Sequence, residues 1–141
     1  MNENVISADH KMNTKESKYA TGKRKTSIAK VWLSKGSGKI IINGKNYDQY
    51  FKRANHKMQL LRPFEIINQQ TDFDVKCNVK GGGLTGQVGA MVHGISKALL
   101  MFDADLKQTL KKEKLTTRDS RSVERKKYGH RKARRSFQFS K

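Results

Sequence analysis

The stretch FDVKCNVKGGGLTGQVGAMVHGISKALLMF, residues 73–102, changes its apolar period at the three glycines in its middle. Before the glycines, apolar and polar residues alternate from Phe73 to Val79, which is typical of a strand with one buried side. After them, apolar residues recur at spacings of three, four and seven from Leu84 to Phe102, which predicts a helix facing the core. A strand that leads through glycines into a long amphipathic helix indicates a domain containing both a sheet and helices.

Small residues line the opposite face of the predicted helix, where Gly86, Gly89, Ala90, His93 and Lys97 recur at helical spacing. A glycine inside a helix costs up to about 1 kcal/mol relative to alanine, so the two glycines are expected to serve a purpose. We expect this ridge to let a bulky partner approach closely, beside an imidazole and an ammonium group. A solvent-facing surface that tolerates glycine is the alternative.

The glycine turn, GGGLTG at 81–86, also has the spacing of a dinucleotide-binding motif. In that motif an acidic residue ends a second parallel strand, whereas here Asp103 and Asp105 lie between two helical stretches. No nucleotide site is therefore expected, and no other cofactor is indicated. Backbone N–H groups at a glycine-rich helix N-terminus suit an anion such as an RNA phosphate, and a tight strand-to-helix turn would need glycine equally.

Two further strands are predicted on the N-terminal side of this stretch. TSIAKVWL, residues 26–33, alternates apolar and polar side chains, and KIIIN, residues 39–43, is a short apolar run. The GSG segment between them predicts a hairpin, and Asn43-Gly44 predicts the next turn.

Short helical segments are predicted on either side of the stretch quoted first. YDQYF at 47–51 and NHKMQLL at 55–61 precede it, and Pro63 is expected to end the second, because proline disfavours helix in the residue before it. DLKQTLKK at 105–112 follows the long helix. Together these elements predict one folded body, residues 18–113.

Both ends of the chain differ from this body. Residues 1–17 are polar, without helical or strand periodicity, and are expected to be disordered. Residues 114–141 form a basic tail in which the apolar pattern stops at Leu115, and from Arg118 onwards the tail carries ten arginines and lysines against two acids. A block of this charge is typical of an extended arm.

The whole chain is strongly basic, with 31 lysines and arginines against 12 acids and a net charge of +19. Such a charge calls for an anionic partner, and counterion release favours nucleic acids. Tyr128, Phe137 and Phe139, interleaved with the cations of the tail, suit folded RNA with exposed bases better than a DNA duplex. A membrane is not expected as a partner, because the tail has no amphipathic apolar face and no apolar run approaches the length that spans a bilayer.

Catalysis and metal binding are not indicated by the sequence. The chain has one cysteine, Cys77, on the apolar face of the predicted strand, so no internal disulfide can form and we expect an inert core residue. Its four histidines are scattered without the spacing of a zinc site. No nucleophile is paired with a base, and His93 is expected to make a structural or RNA contact rather than a catalytic one.

Five blocks of the sequence resemble the family of the ninth protein of the small ribosomal subunit, in its bacterial or organellar form. The blocks are TGKRKTSIAKVWL, INGKNYDQYF, LRPFEII, VKGGGLTGQVGA with HGISKALL, and TRDSRSVERKKYGHRKARRSFQFSK. They follow the family order from about Tyr19 to the end of the chain, and residues 1–17 lie outside the resemblance.

The resemblance implies a single α/β domain of the α+β sandwich type, with helices packed on a mainly four-stranded sheet and an extended basic tail. The second domain of another small-subunit ribosomal protein has this fold. The resemblance also implies a structural, non-enzymatic protein that binds ribosomal RNA in the head of the small subunit, beside other head proteins, in a bacterial cytoplasm or an organelle such as the mitochondrial matrix. In this family the tail threads to the peptidyl site, where its end touches transfer RNA. A free nucleic-acid chaperone or histone-like binder, which uses charge without a fixed site, is the alternative.

Site residues follow from the resemblance together with the charge pattern. Contacts to ribosomal RNA are expected from the opening strand, the glycine turn, the helix ridge and the tail: Arg24, Lys25, Thr26, Gly81, Gly82, Gly83, Gly86, Gln87, His93, Lys97, Arg118, Arg121, Arg125, Lys126, Lys127, Tyr128, Arg131, Lys132, Arg134 and Arg135. Contacts to transfer RNA are expected from Phe137, Phe139, Ser140 and Lys141. Residues 125–135 are called the stem of the tail below, and residues 137–141 its tip.

Several departures from the family pattern bear on these sites, among them Ser120 and Ser122 within the tail. Val92 stands where the family commonly has arginine, so one cation is missing from the helix. His130 replaces a usually apolar residue, and the chain ends at Ser140-Lys141 where the family pattern ends SKR. Either one residue is missing after Lys141, or Lys141 stands at the tip and presents a point charge in place of a planar guanidinium.

Overall fold

The structure, a computed structural model, describes residues 16–140, which form five strands and four helices. The strands are β1 (Lys18–Arg24), β2 (Ser27–Lys35), β3 (Ile40–Ile42), β4 (Lys45–Asn46) and β5 (Phe73–Lys80). The helices are α1 (Tyr47–Tyr50), α2 (Ala54–Ile66), α3 (Leu84–Phe102) and α4 (Leu106–Lys112). Residues 1–15 of the segment predicted to be disordered lie outside the described residues, as does Lys141.

The strands make one mixed sheet in the order β1-β2-β5-β3-β4. The third position is held by β5, which is antiparallel to β2 and parallel to β3. The two outer pairs, β1 with β2 and β3 with β4, are antiparallel hairpins. The predicted α+β domain is confirmed, and β4, with two residues, adds a fifth strand to the predicted mainly four-stranded sheet.

The predicted hairpin between β2 and β3 is wrong, because β5 lies between these two strands. The segment that joins them turns over the end of β5 instead. There the buried carboxylate of Asp74 accepts hydrogen bonds from the backbone N–H groups of Ser37 (2.8 Å) and Lys39 (2.9 Å). Side-chain alternation identified the strands but could not identify their partners, since the pairing with β5 is set by residues distant in sequence.

Two tight turns close the hairpins that do form. Lys25 and Thr26 connect β1 to β2, and Asn43 and Gly44 connect β3 to β4. The predicted Asn43-Gly44 turn is confirmed by positive φ angles of 49° and 81°, as a type I′ turn requires. The side chain of Asn43 also exchanges two hydrogen bonds with the backbone of Val79, so the turn is fastened to β5.

Helix α2 continues through Pro63 to Ile66, so the prediction that Pro63 ends it is wrong. Proline has no N–H to donate to the carbonyl of Gln59, and the helix loses that hydrogen bond. Leu60, Pro63 and Phe64 are all buried, and α2 packs beside α3. Burial of this apolar side offsets the missing hydrogen bond and keeps the segment helical.

Helix α3 packs across β1 and β2 and supplies much of the core. The predicted apolar stripe is buried at Val88, Met91, Ile95 and Leu99, whereas Leu84, in the first turn, is 47% exposed. The buried part of the stripe therefore begins at Val88, one turn later than the apolar spacing predicts.

The predicted apolar face of β5, from Phe73 to Val79, is buried in the same core, and Lys76 and Asn78 on its other face are exposed. Cys77 is fully buried there, and burial raises its pKa, so the thiol stays protonated. The prediction of an inert core cysteine is confirmed.

Candidate nucleic-acid interface

The fold brings the basic hairpin turn and the glycine turn side by side. The hydroxyl of Ser27 donates a hydrogen bond to the carbonyl of Gly81 at 2.9 Å, and a Cβ on Gly81 would lie 2.7 Å from the carbonyl oxygen of Thr26. Gly81 and Gly82 have φ angles of 76° and 62°, a region that glycine adopts without strain. Lys25 and Thr26 consequently lie exposed next to the start of α3.

The N-terminus of α3 is presented at this double turn. Gly83 precedes the helix without a side-chain capping hydrogen bond. Gln87 braces the turn, because its amide donates to the carbonyl of Gly81 at 3.2 Å and accepts from the hydroxyl of Tyr50 at 2.7 Å. The positive end of the helix dipole, flanked by a lysine, favours an anion at this position.

The small-residue ridge of α3 is covered by β1, so the bulky partner expected on it is the chain's own strand. A Cβ on Gly22 of β1 would lie 1.8 Å from the carbonyl oxygen of Ala90 and 2.4 Å from the nitrogen of Gly94. A Cβ on Gly89 would lie 2.3 Å from Cδ of Arg24. The ridge thus holds the strand and the Arg24 side chain in place. The remaining small residue of the predicted site, Gly86, is buried beside the hydroxyl of Ser27.

His93 and Lys97 connect α3 to β1 and to the start of the tail. The Lys97 ammonium donates to the carbonyl of Thr21 at 2.9 Å, and the backbone N–H of Lys23 donates to Nδ1 of His93 at 3.4 Å. The backbone of Thr116 lies near the imidazole and opposes part of the lowering of its pKa described next. Burial first, and the charge of Lys97 second, lower the pKa of His93, so this side chain is neutral at pH 7. It joins three segments and adds no charge to the site.

A groove of about 630 Å³ opens between β1, α2, α3 and the start of the tail. Its cationic lining residues are Lys23, Arg24, Arg62, Lys114, Arg118 and Arg121. Asp119 is the one acid among the described residues that line it, and it lies 2.8 Å from Arg121 and 3.6 Å from Arg24. Hydrogen bonds from Arg121, with Arg24 nearby, hold the pKa of this carboxyl well below its usual range. The groove keeps a large excess of positive charge, which suits phosphate oxygens.

A smaller groove of about 260 Å³ adjoins the first. The two share Arg24, Asp119 and Arg121, and the smaller one continues to Lys25 at the hairpin turn. The structure therefore brings the predicted residues of the opening strand and of the early tail into one continuous basic surface, which passes beside the glycine turn.

Three cations of the larger groove were missing from the sequence prediction: Lys23, Arg62 and Lys114. Lys23 lies within the basic run of the opening strand and could have been included on charge alone. Arg62 is on α2, ion-paired with Glu113 at 2.6 Å. It reaches the groove only because α2 packs beside α3, and no local pattern marks it.

The tail stays in contact with the body at its start. Leu115 belongs to the apolar core and is 9% exposed, and Asp119 pairs with Arg24 across the groove. Val92, where the resemblance leads us to expect arginine, packs partly buried against the core and lines the groove beside Leu115. That position offers an apolar wall in place of a phosphate contact.

Beyond the groove the cations of the stem are largely exposed. Those with exposed side chains are Arg125, Lys126, Arg131, Lys132, Arg134 and Arg135, while Lys127 is half-buried. Glu124 accepts a hydrogen bond from Nε of Arg134 at 3.0 Å and lies 3.9 Å from Nζ of Lys127. These pairs are solvent-exposed and weak, so both cations can exchange the carboxylate for a phosphate.

A small loop closes within the stem. His130 and Ser136 form an isolated antiparallel bridge, and the N–H of Arg131 donates to the carbonyl of Arg135 at 2.8 Å. The loop is entered at Gly129, whose φ is 73°. Nδ1 of His130 lies 3.4 Å from the Ser136 hydroxyl, so the histidine that departs from the family pattern contributes to this loop.

Aromatic side chains of the tail are exposed. Tyr128 is 94% exposed, Phe137 59% and Phe139 90%. The guanidinium of Arg131 lies 5.4 Å from the centre of the Phe137 ring, within cation–π distance. Ser140 is also exposed, and Lys141 lies outside the described residues. The tip thus presents ring faces on which bases can stack.

The chemistry available at this surface is noncovalent anion binding. Within residues 16–140 there is no group of three or more His, Cys, Asp or Glu side chains arranged to hold a metal ion. Over the same residues, no helix is long and apolar enough to cross a bilayer.

A comparison with protein families is consistent with the geometry. The model of the family described as ribosomal protein S9/S16 matches residues 22–141. The matched region contains both grooves, the glycine turn, α3 and the whole tail.

Proposed function

Because this chain belongs to the ribosomal protein S9/S16 family, whose members are structural, non-enzymatic components of the small ribosomal subunit, we propose that its body binds ribosomal RNA in the head of that subunit and that its tail reaches peptidyl-site transfer RNA. The same assignment makes neighbouring proteins of the subunit its protein partners. The ribosome that contains it is bacterial or organellar, and sequencing the small-subunit RNA that co-purifies with the protein identifies which.

The basic groove is the observation that carries the first half of the proposal. Cations from β1, α2 and the early tail line it. Among the described lining residues Asp119 is the one acid, and Glu113, outside the lining, pairs with Arg62. Like charges held this close repel one another unless an anion lies between them. Arg24 and Arg118 offer the planar fork that matches phosphate oxygens, and both are within the family match.

Removing charge from the groove should weaken RNA binding in a salt-dependent manner. We expect the double substitution Lys114→Gln and Arg118→Gln to lower the slope of log affinity against log salt by about 1.5 on small-subunit RNA, because each lost phosphate contact removes about 0.7 to 0.9. Lys111→Gln with Lys112→Gln, which removes the same charge from exposed positions on α4, is the matched control. Equal slopes for both variants would contradict a phosphate site in the groove.

A high-salt wash distinguishes a subunit component bound at a fixed site from a free nucleic-acid binder. A component of the subunit co-sediments with it at one copy per particle after a high-salt wash. A chaperone or histone-like binder, which depends on delocalised charge, is removed by the same wash.

The tail carries the second half of the proposal, and its tip and stem are expected to act separately. Deleting residues 137–141 should leave subunit assembly nearly intact, because the exposed cations of the stem remain. The same deletion should accelerate dissociation of transfer RNA from the peptidyl site by about fivefold or more, since one stacked base is worth about 1 to 3 kcal/mol. The measurement is the dissociation rate on subunits assembled with full-length or shortened protein.

A control variant that keeps the full length of the tail distinguishes loss of stacking from shortening of the tail. Phe137→Ser with Phe139→Ser keeps every residue of the tip but removes both exposed rings. If the tip contacts transfer RNA by stacking, transfer RNA should dissociate from subunits with this variant as fast as from subunits with the deletion. Unchanged rates for both variants, with normal assembly, would remove the tip from contact with transfer RNA.

A further inference from the structure

The sheet has a second face, opposite α3, on which the lysines and Tyr19 are exposed and Trp32 is half-buried. Its residues on β1, β2 and β5, called the open face below, are Tyr19, Thr21, Lys23, Ile28, Lys30, Trp32, Lys76, Asn78 and Lys80. Strand register arranges them in three rows across the sheet. They are Tyr19–Trp32–Lys76, Thr21–Lys30–Asn78 and Lys23–Ile28–Lys80.

An aromatic pair lies at one end of the open face. The rings of Tyr19 and Trp32 are 5.2 Å apart between centroids, and Tyr19 is 43% exposed. The hydroxyl of Thr21 donates to that of Tyr19 at 3.1 Å, which fixes the tyrosine from the next row. Adjacent aromatic rings left in contact with solvent on a flat surface offer a platform for a further planar group.

Lysines surround this platform. Lys76 is directly beside Trp32 in the register, and Lys30 lies one row away, about 7 Å along the strand. Lys23 and Lys80 occupy the third row, where Lys23, on the edge strand β1, also lines the larger groove, and all four lysines are exposed. Asp74, the acidic residue on this side of β5, is buried and accepts hydrogen bonds from the loop between β2 and β3. The open face is therefore aromatic and cationic.

The combination of side chains favours RNA over a protein as the occupant. Lysine is depleted in protein–protein interfaces, whereas a nucleic acid needs cations next to its stacked bases. Stacking on an exposed ring requires an unpaired base, so the RNA must be single-stranded at this point. We propose that the open face binds a single-stranded segment of ribosomal RNA, with one base stacked on Trp32 and Tyr19 and its phosphates next to Lys30 and Lys76.

This inference rests on the proposed function but names a site on the side of the sheet away from α3. The only tryptophan of the chain is Trp32, so its emission reports this face alone. A short oligouridine added to the full-length protein should quench the emission saturably, because a stacked base quenches indole fluorescence. Inorganic polyphosphate, which supplies charge without bases, should bind the tail and leave the emission unchanged. Absence of quenching, or equal quenching by polyphosphate, would overturn the proposal.

Binding affinities provide a second readout. They are measured with labelled oligouridine on a protein in which Arg131, Lys132, Arg134 and Arg135 are alanine, so that the stem does not mask the face. Trp32→Ala should weaken binding by about 5- to 150-fold, and Trp32→Phe, which keeps a ring, should restore most of it. If Trp32→Phe binds as weakly as Trp32→Ala, stacking is excluded.

Paired lysine variants test the phosphate contacts. Lys30→Ala with Lys76→Ala should weaken oligouridine binding more than Lys111→Ala with Lys112→Ala on α4, which removes the same charge. Equal losses would contradict a defined site.

A change in Trp32 emission on removal of residues 1–15, without any response to oligouridine, would show that the chain's own N-terminal segment occupies the face instead.

The test distinguishes this inference from the function on which it rests. Failure of the wild-type protein to co-sediment with the small subunit would overturn the proposed function. Stoichiometric co-sedimentation together with an unresponsive Trp32 would overturn the open-face site alone.

Discussion

Gly22→Ala should destabilise the body by about 3 kcal/mol or more. Alanine in a strand ordinarily gains stability over glycine because it restricts the unfolded chain. Here the added Cβ would lie 1.8 Å from the carbonyl oxygen of Ala90 and 2.4 Å from the nitrogen of Gly94. Both atoms belong to the backbone of α3 and cannot move aside as a side chain would, so β1 must separate from the helix. The midpoint of urea unfolding measures the loss.

Gly83→Ala is the matched control for this substitution. Gly83 has a φ of −94°, which any residue adopts, and nothing lies within 4 Å of the position of its Cβ. We expect a change in the free energy of unfolding of less than about 0.5 kcal/mol. A Gly22→Ala protein as stable as the control would show that β1 is not packed against α3 as described.

Replacing Arg131, Lys132, Arg134 and Arg135 together with alanine should have the largest effect on RNA binding. All four side chains are exposed, and among residues 16–140 only Arg134 of the four has a carboxylate partner, Glu124. Loss of four phosphate contacts should lower the slope of log affinity against log salt by about 3, and the affinity at 0.1 M salt by on the order of 10²-fold. Titration of the full-length protein with small-subunit RNA at several salt concentrations gives both values.

A control variant that loses the same charge at other positions distinguishes defined phosphate contacts from an effect of total charge. Lys52, Lys107, Lys111 and Lys112 are exposed, and lie in the loop before α2 and on α4. Their replacement with alanine should change the slope much less if the stem makes defined phosphate contacts. A slope lowered equally by both variants would favour the histone-like binder, for which only total charge matters.

Elements with a strong local period were predictable from the sequence. The alternation in β5 and the helical spacing of α3 each bury a continuous apolar face, so the strand, the helix and the inert Cys77 follow from local pattern. The same is true of the Asn43-Gly44 turn, because its positive φ angles are a local requirement.

The errors came from interactions between distant residues. β5 lies between β2 and β3 through pairing with residues distant in sequence, and its Asp74 holds the β2–β3 loop by hydrogen bonds. The continuation of α2 past Pro63 depends on burial against α3 and not on the propensity of the segment. Neither effect has a signature within a window of a few residues.

Part of the candidate interface was predictable for a different reason. The basic residues of the opening strand and the tail stand out by charge, but their convergence on Asp119 is a property of the fold. The glycine ridge was identified as unusual, and its partner could not be, because Gly22 approaches the helix backbone only in the folded chain. Arg62 was missed since it lies in a helix of ordinary composition.

Because the early tail is docked on the body, contacts of the tip can be weak and still be occupied. The point from which the remaining chain departs is fixed by Leu115 in the core and by the ion pair of Asp119 with Arg24. The residues from 120 to 140 can then extend at most about 70 Å from that origin. Once the body is bound, the tip is a tethered ligand whose encounter with its target is intramolecular, at an effective concentration of millimolar order. A contact whose dissociation constant lies below that concentration is then occupied most of the time and still releases fast, which is what the proposed contact with transfer RNA requires.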